Sequence, residues 1–577
     1  MQKRIFYLKI FFLVCFFILT VRLFCLQVIN GKLYRIKSEK NRIRLKEIPA
    51  YRGKILDRNG MVLVDNRPFY SLCVIPEEVP DVSELFNKLS RIIDIPSERL
   101  KKIFFKKKTL PFKPVCIKKG LTLDEVAKIE SNIFLLPGVM IKVEERRNYI
   151  YHEMLAHVLG YMSSDGKGRC GIEKRWDKFL KGIPGGMQIE ADAVGRTVKV
   201  ISKRLPVPGA DVYLNIDIRI QKKAQQLLKG KKGAIVVMNP KDGEVIAIAS
   251  SPSFDPNLFI DGIDIKTWNR LRNSKDCPFQ NRAISGLYPP GSLFKVIVAY
   301  AGLKEGIITP KKTFFCKGSF FYGDREYRCW KKGGHGNVNL HRAIKESCDI
   351  YFYNLGKMLG IKKIAYYAKM FGLGEETGID IGGEKKGIVP TAEWKKKRFG
   401  IPWQSGETLS VSIGQSYLLV TPIQIAVMYS ALFNGGILYK PRITRLIKTA
   451  DGKVLYRFRP EIKRRLNLDE RHVREIRKAL VAVVNEANGT GRRARIRGIT
   501  VAGKTGTAQL IEHRRDEEIS IKDHAWFVGI APAEDPTVVV VVIIENGGHG
   551  GESAAPVARE IIKEYFRVFR KKDLPEL

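Results

Sequence analysis

The sequence predicts an α+β protein. One antiparallel sheet is closed from both ends of a C-terminal domain, a helical subdomain is inserted in it, and an N-terminal module and one transmembrane helix precede it. Two patterns carry the sheet. Apolar runs at 233–238 and 244–250, joined by a turn that starts at Asn239-Pro240, read as a hairpin at the start of the domain. Three more runs, at 499–510, 524–531 and 537–545, stand at its end, and 292–480 between them reads mostly as helix. Strands at both chain ends of a domain share one sheet only if those ends meet. The transmembrane helix rests on an apolar run at 10–21.

That run is preceded by Lys3 and Arg4. With Lys9 and Arg22 snorkelling, 5–29 can cross about 30 Å of hydrocarbon as a helix. A cleaved signal peptide is the competing reading, but 24–27 offers no small-x-small cleavage site. The segment behind the anchor carries Lys32, Arg35, Lys37, Lys40, Arg42, Arg44 and Lys46, against the positive-inside tendency. Long domains translocate largely regardless of charge. The N-terminus is therefore expected inside and the body outside a cytoplasmic membrane.

A chain of 577 residues, 45% hydrophobic, is too long for one ordinary domain. The expected division is 1–30 as anchor, 31–208 as a non-catalytic module and 209–577 as the catalytic domain. In the module, Asn59-Gly60 marks a hairpin turn, 83–108 and 122–134 read as basic helices, and 182–186 reads as a loop. Cys73, Cys116, Cys170 and Cys277 are scattered and carry no legible pattern. In the catalytic domain, 216–228 reads as helix. Ser553 to Pro556 reads as the cap and first turn of a terminal helix to about 569.

The 101 Lys and Arg against 59 Asp and Glu give a net charge of +42. No nucleic-acid recognition module is legible, so nucleic acid is not an expected partner. Attraction to anionic lipid or cell-wall polymer fits an exported, anchored chain better.

Three short motifs carry chemistry. Pro289-Pro290-Gly291 breaks the chain, and Ser292 opens an apolar helix with Lys295 one turn on, on the same face. A helix start favours developing negative charge, and a buried lysine beside other cations can serve as base for a hydroxyl. Ser347-Cys348-Asp349 lies between two apolar helical runs, on a tight turn able to present a second hydroxyl. Lys504-Thr505-Gly506-Thr507 lies in a strand. A lysine there can hold a carboxylate, and Gly506 leaves the strand surface open. The amides of Thr507 and Ser292 could together stabilise an oxyanion. Each motif alone is weak; the three in this order are specific.

Together they resemble the Ser-x-x-Lys, Ser-x-Asn/Asp and Lys-Thr-Gly set of penicillin-binding proteins and serine β-lactamases. The wider text resembles the monofunctional, class B penicillin-binding proteins over nearly the whole chain. It does so at Arg52, Gly53, Ile55, Asp57, Arg58 and Gly60, at 156–161 and 171–174, at 288–295, at 414–416 with 421–426, and at 524–529. The resemblance implies a five-stranded sheet with helices on both faces, a helical subdomain and an elongated N-terminal pedestal of the dimerisation type. It implies D,D-transpeptidation of peptidoglycan stem peptides through a Ser292 acyl-enzyme. Lys295 is the implied base and Ser347 the proton relay. Lys504 with Thr505 and Thr507 is the implied carboxylate site. β-Lactams are implied inhibitors, and a glycosyltransferase and elongation scaffold proteins are implied partners. Asp349, where Asn is commoner, is similar to the elongation-type branch, penicillin-binding protein 2. The division-type branch is the alternative, ahead of a membrane-bound β-lactamase or a β-lactam sensor. No deacylation base is legible for the former, and the latter would want several spans.

Cys316, Cys329, His335 and Cys348 fall within one short stretch. Three cysteines and a histidine make a closed tetrahedral zinc set. A Cys316–Cys329 disulfide, with Cys348 buried and His335 solvated, is the other reading, and an oxidising compartment favours it. Some penicillin-binding protein 2 members resemble the zinc pattern, which implies a structural zinc beside the second motif.

Overall fold

The computed structural model describes residues 2–35, 43–107, 110–192, 197–509, 512–514, 517–519 and 523–569. Lys37, Lys40, Arg42 and Leu510 lie outside the described residues. Gln2–Phe24 is helical and continues in a π-helical turn, Cys25–Ile29. Arg4–Ile29 is long and apolar enough to cross a membrane.

The chain forms two compact units. The first comprises Met1–Gly53, Asn66–Arg146 and Lys181–Ala210. It holds a three-stranded antiparallel sheet of Ile43–Ile48, Gly185–Ala191 and Thr197–Arg204. Gly185 and Gly186 thus begin a strand where a loop was expected, because their neighbours on both sides supply backbone partners. A separate core gathers Leu72, Phe86, Leu89, Leu100, Phe104 and Ile129. Its helices are Val82–Ile93, capped by Asp81, Ser97–Lys107 and Leu123–Ser131, started by a Thr122–Glu125 capping box. Two of the cysteines without a legible sequence pattern, Cys73 and Cys116, pair on adjacent strands and form a disulfide. Strand pairing brings them together across 43 positions, which no spacing pattern announces.

The second unit comprises Lys54–Asp65, Arg147–Leu180 and Asp211–Leu577. Its sheet uses β1 (Gly233–Met238), β2 (Val245–Ser251), β3 (Ala502–Ala508), β4 (His524–Ala531) and β5 (Val538–Ile544). The order is β2-β1-β5-β4-β3, all antiparallel. Every residue of β1, β2 and β5 is buried, so both faces are covered, which explains their continuous apolar text. The helices α1 (Ile218–Leu227) and α6 (Gly550–Phe569) pack on the sheet, as does Pro422–Phe433. The inserted part holds α2 (Lys295–Lys304), α3 (Asp349–Met370) and α5 (Glu470–Asn485), with α4 being Pro422–Phe433. α3 breaks at Gly360, where φ is +71°.

The insertion is less purely helical than its sequence suggests. Short antiparallel pairs occupy 314–338 and 437–465, as Phe314–Cys316 with Gly336–Val338, Ser319–Tyr322 with Arg325–Arg328, and Ile437–Tyr439 with Ile462–Arg465. The helix α6 starts three residues before Ser553, and Pro556 lies inside it. A side chain on Gly550 would meet Trp526 O at 2.1 Å, so only glycine lets the first turn seat against the sheet. The Glu552 carbonyl, deprived of an amide by Pro556, accepts from Arg493 Nη1 at 3.5 Å.

Candidate active site

The three motifs meet at one place in the second unit. Ser292 is half-buried in a 3-10 turn, Gly291–Leu293, that leads into α2 at Lys295. The turn is held against β3 at close range. Gly291 has φ +54°, and a Cβ there would meet Thr507 O at 2.5 Å; its amide donates to Gly414 O at 2.9 Å. Trp526 Nε1 donates to Pro289 O at 3.0 Å and Tyr429 to Leu293 O at 2.9 Å, fixing the turn from both ends. The glycine of the third motif has a further reason beside the open strand surface that its sequence suggests. A Cβ on Gly506 would meet Pro290 O at 2.9 Å, so Gly506 admits the serine turn.

Ser347 sits between two fully buried lysines. Its φ of +55° makes the tight turn that the sequence predicts, and Asp349 then opens α3, where a helix N-terminus stabilises a carboxylate. Lys295 Nζ donates to Asp349 Oδ1 at 2.8 Å, to Ser347 O at 2.9 Å and to Ser347 Oγ at 3.3 Å. Lys504 Nζ donates to Ser347 Oγ at 2.9 Å and to Thr505 O at 3.1 Å. Both lysines are 0% exposed. Burial, then the neighbouring Lys295 charge, holds Lys504 well below the usual lysine range, with Asp349 opposing. The second oxygen of Asp349 accepts from the Trp330 amide at 2.9 Å. An Asn at 349 would put an NH2 donor where one of these two donors now finds an acceptor oxygen.

These residues border a cleft of about 530 Å³ that Ser292, Ser347, Asp349, Thr505, Gly506 and Thr507 line. Lys295 and Lys504 lie beneath its wall. Sequence reasoning missed several other groups on it. Thr490 donates or accepts with Thr505 across 2.8 Å, Gln415 Nε2 donates to Thr507 O at 3.1 Å, and Arg328, Arg492 and Arg493 add positive charge. Only folding brings 489–493, in the loop after α5, beside β3.

Cys316, Cys329, His335 and Cys348 converge as well, all buried, with one ligand atom of each within 4.8 Å of the others. His335 Nδ1 lies 3.6 Å from Cys316 Sγ and 3.5 Å from Cys329 Sγ. The three cysteines are free thiols and His335 is 6% exposed, so neither the Cys316–Cys329 disulfide nor a solvated histidine is seen. A compact, buried Cys3His donor set fits a tetrahedral soft-to-borderline cation.

Known proteins agree with this geometry. Residues 233–563 match the penicillin-binding protein transpeptidase domain model, and 47–214 match the penicillin-binding protein dimerisation domain. The peptidoglycan D,D-transpeptidase MrdA of Acinetobacter baumannii is 37% identical over 99% of this chain and 89% of its own. The penicillin-binding protein 2 solved in complex with MreC from Helicobacter pylori has a TM-score of 0.78 and 28% identity, over 92% of this chain and 99% of its own. A peptidoglycan synthase complex that coordinates polymerization and crosslinking supplies another neighbour. Its TM-score is 0.75 at 30% identity, over 99% of this chain and 100% of that one. With that agreement over both matched domains and nearly its full length, the chain belongs to the penicillin-binding protein transpeptidases, in the penicillin-binding protein 2 branch.

Proposed function

We propose that the chain cross-links peptidoglycan as an elongation-type D,D-transpeptidase, with Ser292 as its nucleophile. The observation that carries the reading is the Ser347 hydroxyl held between Lys295 and Lys504 at the cleft that Ser292 lines. Ser292 Oγ attacks the carbonyl carbon of the penultimate D-Ala, and its proton passes to Lys295. The C–N bond to the terminal D-Ala breaks, and that amine leaves with a proton relayed through Ser347. An amine of a neighbouring stem then attacks the ester carbonyl, and Ser292 recovers its proton. For Lys295 to serve as base, a proton must be able to move away from it along its hydrogen bonds. The chain Lys295–Ser347–Lys504 offers the path, since Lys504 is the amine that burial makes easy to keep neutral. Thr505 and Thr507, on the cleft wall, take the substrate carboxylate with Lys504 beneath them. The Thr507 and Ser292 amides, brought close by Gly291, serve the developing oxyanion.

In this reading 1–30 anchors the chain with its N-terminus inside, 31–208 is the pedestal and 209–577 the catalytic domain. The two solved neighbours, one bound to MreC and one in a synthase complex, support a scaffold protein and a glycan polymerase as partners. Membrane lipid and β-lactams are the other expected ligands. Zinc is proposed for the Cys3His set, as structure and not as catalyst. It would pin Cys329, next to Trp330, and Cys348, next to Asp349, and so hold the Trp330–Asp349 bond.

The test is the intact mass of the protein after brief exposure to benzylpenicillin, with Ser292→Ala as control. A stable adduct of one drug mass, absent in the variant, is expected. Rapid drug hydrolysis without a lasting adduct would assign a β-lactamase instead, and an adduct retained by Ser292→Ala would refute the nucleophile.

A further inference from the structure

The second unit has another cleft, of about 720 Å³, lined by none of the residues of the three motifs. Its walls come from 169–176, from 378–383 and from 440–461. Six cationic side chains line it, Arg169, Lys174, Arg175, Lys440, Arg442 and Arg459, against the two carboxylates Asp380 and Glu461. Both carboxylates are already engaged. Asp380 accepts the Ile443 and Thr444 amides, each at 2.8 Å, and Glu461 pairs with Lys440. Three cations have ion-pair partners: Arg169 with Asp165, Lys440 with Glu461 and Arg442 with Glu244. Among the described residues, Lys174, Arg175 and Arg459 have none.

The cleft is built and not merely basic. Asp380 ties the 378–383 loop to the start of the strand Thr444–Lys448, and Trp176 Nε1 donates to Thr444 Oγ1 at 2.9 Å from the facing wall. Arg442 is 9% exposed, with Nη2 on Glu244 at 3.1 Å, while its Nε and Nη1 have no partner among the described residues. A buried guanidinium left half-bonded is costly unless an anion or water completes it. Several arginines with spare N–H groups around one cavity suit a tetrahedral oxyanion, whose oxygens accept from several forks at once.

We propose that this cleft is a binding site for a phosphate group, carried either on a soluble or polymer-borne diphosphate or on an anionic lipid headgroup. It is separate from the acylation site. The cations on its rim draw the ligand in, and Arg442 at its floor gains the acceptor it lacks.

The experiment is calorimetric titration of the full-length protein in neutral detergent, once with inorganic pyrophosphate and once with monomeric short-chain phosphatidylglycerol. The triple variant Lys174→Ala/Arg175→Ala/Arg459→Ala alters exposed side chains only and is expected to fold. Saturable binding near one site per chain is expected for at least one probe, weakened tenfold or more in the triple variant. Tighter binding of pyrophosphate assigns the soluble or polymer-borne source, and tighter binding of the lipid assigns the headgroup. A second triple variant, Lys102→Ala/Lys106→Ala/Lys128→Ala, removes equal charge from the first unit and is expected to bind as wild type. Equal weakening in both triples would reduce the effect to the net charge of the chain and overturn the proposal, as would no saturable binding of either probe.

Discussion

Lys504 is the residue whose chemistry the fold changes most. Its motif is legible in the sequence, and so is its strand, but its burial beside a second lysine is not, because Lys295 lies over two hundred positions away. The consequence has a definite sign. An unfolded chain holds the Lys504 proton up to about pH 10.5, whereas the folded chain releases it at lower pH. Between those values the unfolded state binds more protons, so stability falls as pH drops through the window. Lys504→Met fills the same space without the charge. The variant is expected to gain on wild type in thermal stability as pH falls from 10 to 7, while its acylation by benzylpenicillin slows by about 10²–10⁴. A stability difference independent of pH would show that Lys504 titrates as an exposed lysine does. Asp349 is readable as a departure from the commoner Asn, yet its reason, two donors on two oxygens, emerges only with Trp330 in place.

At the scale of elements, strong periodicity is legible and close approach is not. The five strands and the helix starting at Ile218 lie where their apolar patterns put them, within a few residues. The start of α6 differs because a capping signal at Ser553 outweighs, in the sequence, two glycines whose close fit, Gly550 against Trp526 and Gly551 against Thr490, is a tertiary fact. The strand pairs in 314–338 escape the sequence because three- and four-residue strands carry too little pattern to compete with helical neighbours. That same stretch carries Cys316, Cys329 and His335, three of the four Cys3His residues, so its stability bears on the second motif. If the set holds zinc, the purified protein contains one zinc by elemental analysis, and Cys348→Ala contains none. The variant is also expected to acylate at least tenfold more slowly, because the Ser347 turn loses its tether. Zinc-free wild type with full acylation activity would sink the idea. In the first unit, the Cys73–Cys116 link closes a loop of 43 positions in the unfolded chain. Loop-closure entropy gives it about 2–4 kcal/mol, so Cys73→Ala/Cys116→Ala should lower the urea midpoint of that unit by a matching amount. An unchanged midpoint would mean that the reduced strands pair as well without it.

The whole molecule poses a conflict between two rules of membrane topology. Arg4–Ile29 is the one candidate span among the described residues. Lys3 stands before it and Arg4 at its first position, while Lys32, Arg35 and Lys46 come after it, with further cations between. Counted over the flanks alone, positive charge would hold the segment behind the span inside. Against this stands the size of the body beyond the span, more than five hundred residues carrying most of a +42 charge. Domains of that length translocate largely regardless of charge, and a stem-peptide substrate lies on the outer side. The chemistry needs the second reading, so the body is expected outside. Protease added to intact spheroplasts should then digest everything beyond the anchor, leaving a fragment of the N-terminal helix, and detergent should not change the pattern of the body. Protection of the body until detergent is added would place the cleft on the wrong side of the membrane for cross-linking, and the flank charges, not the domain, would have decided the topology.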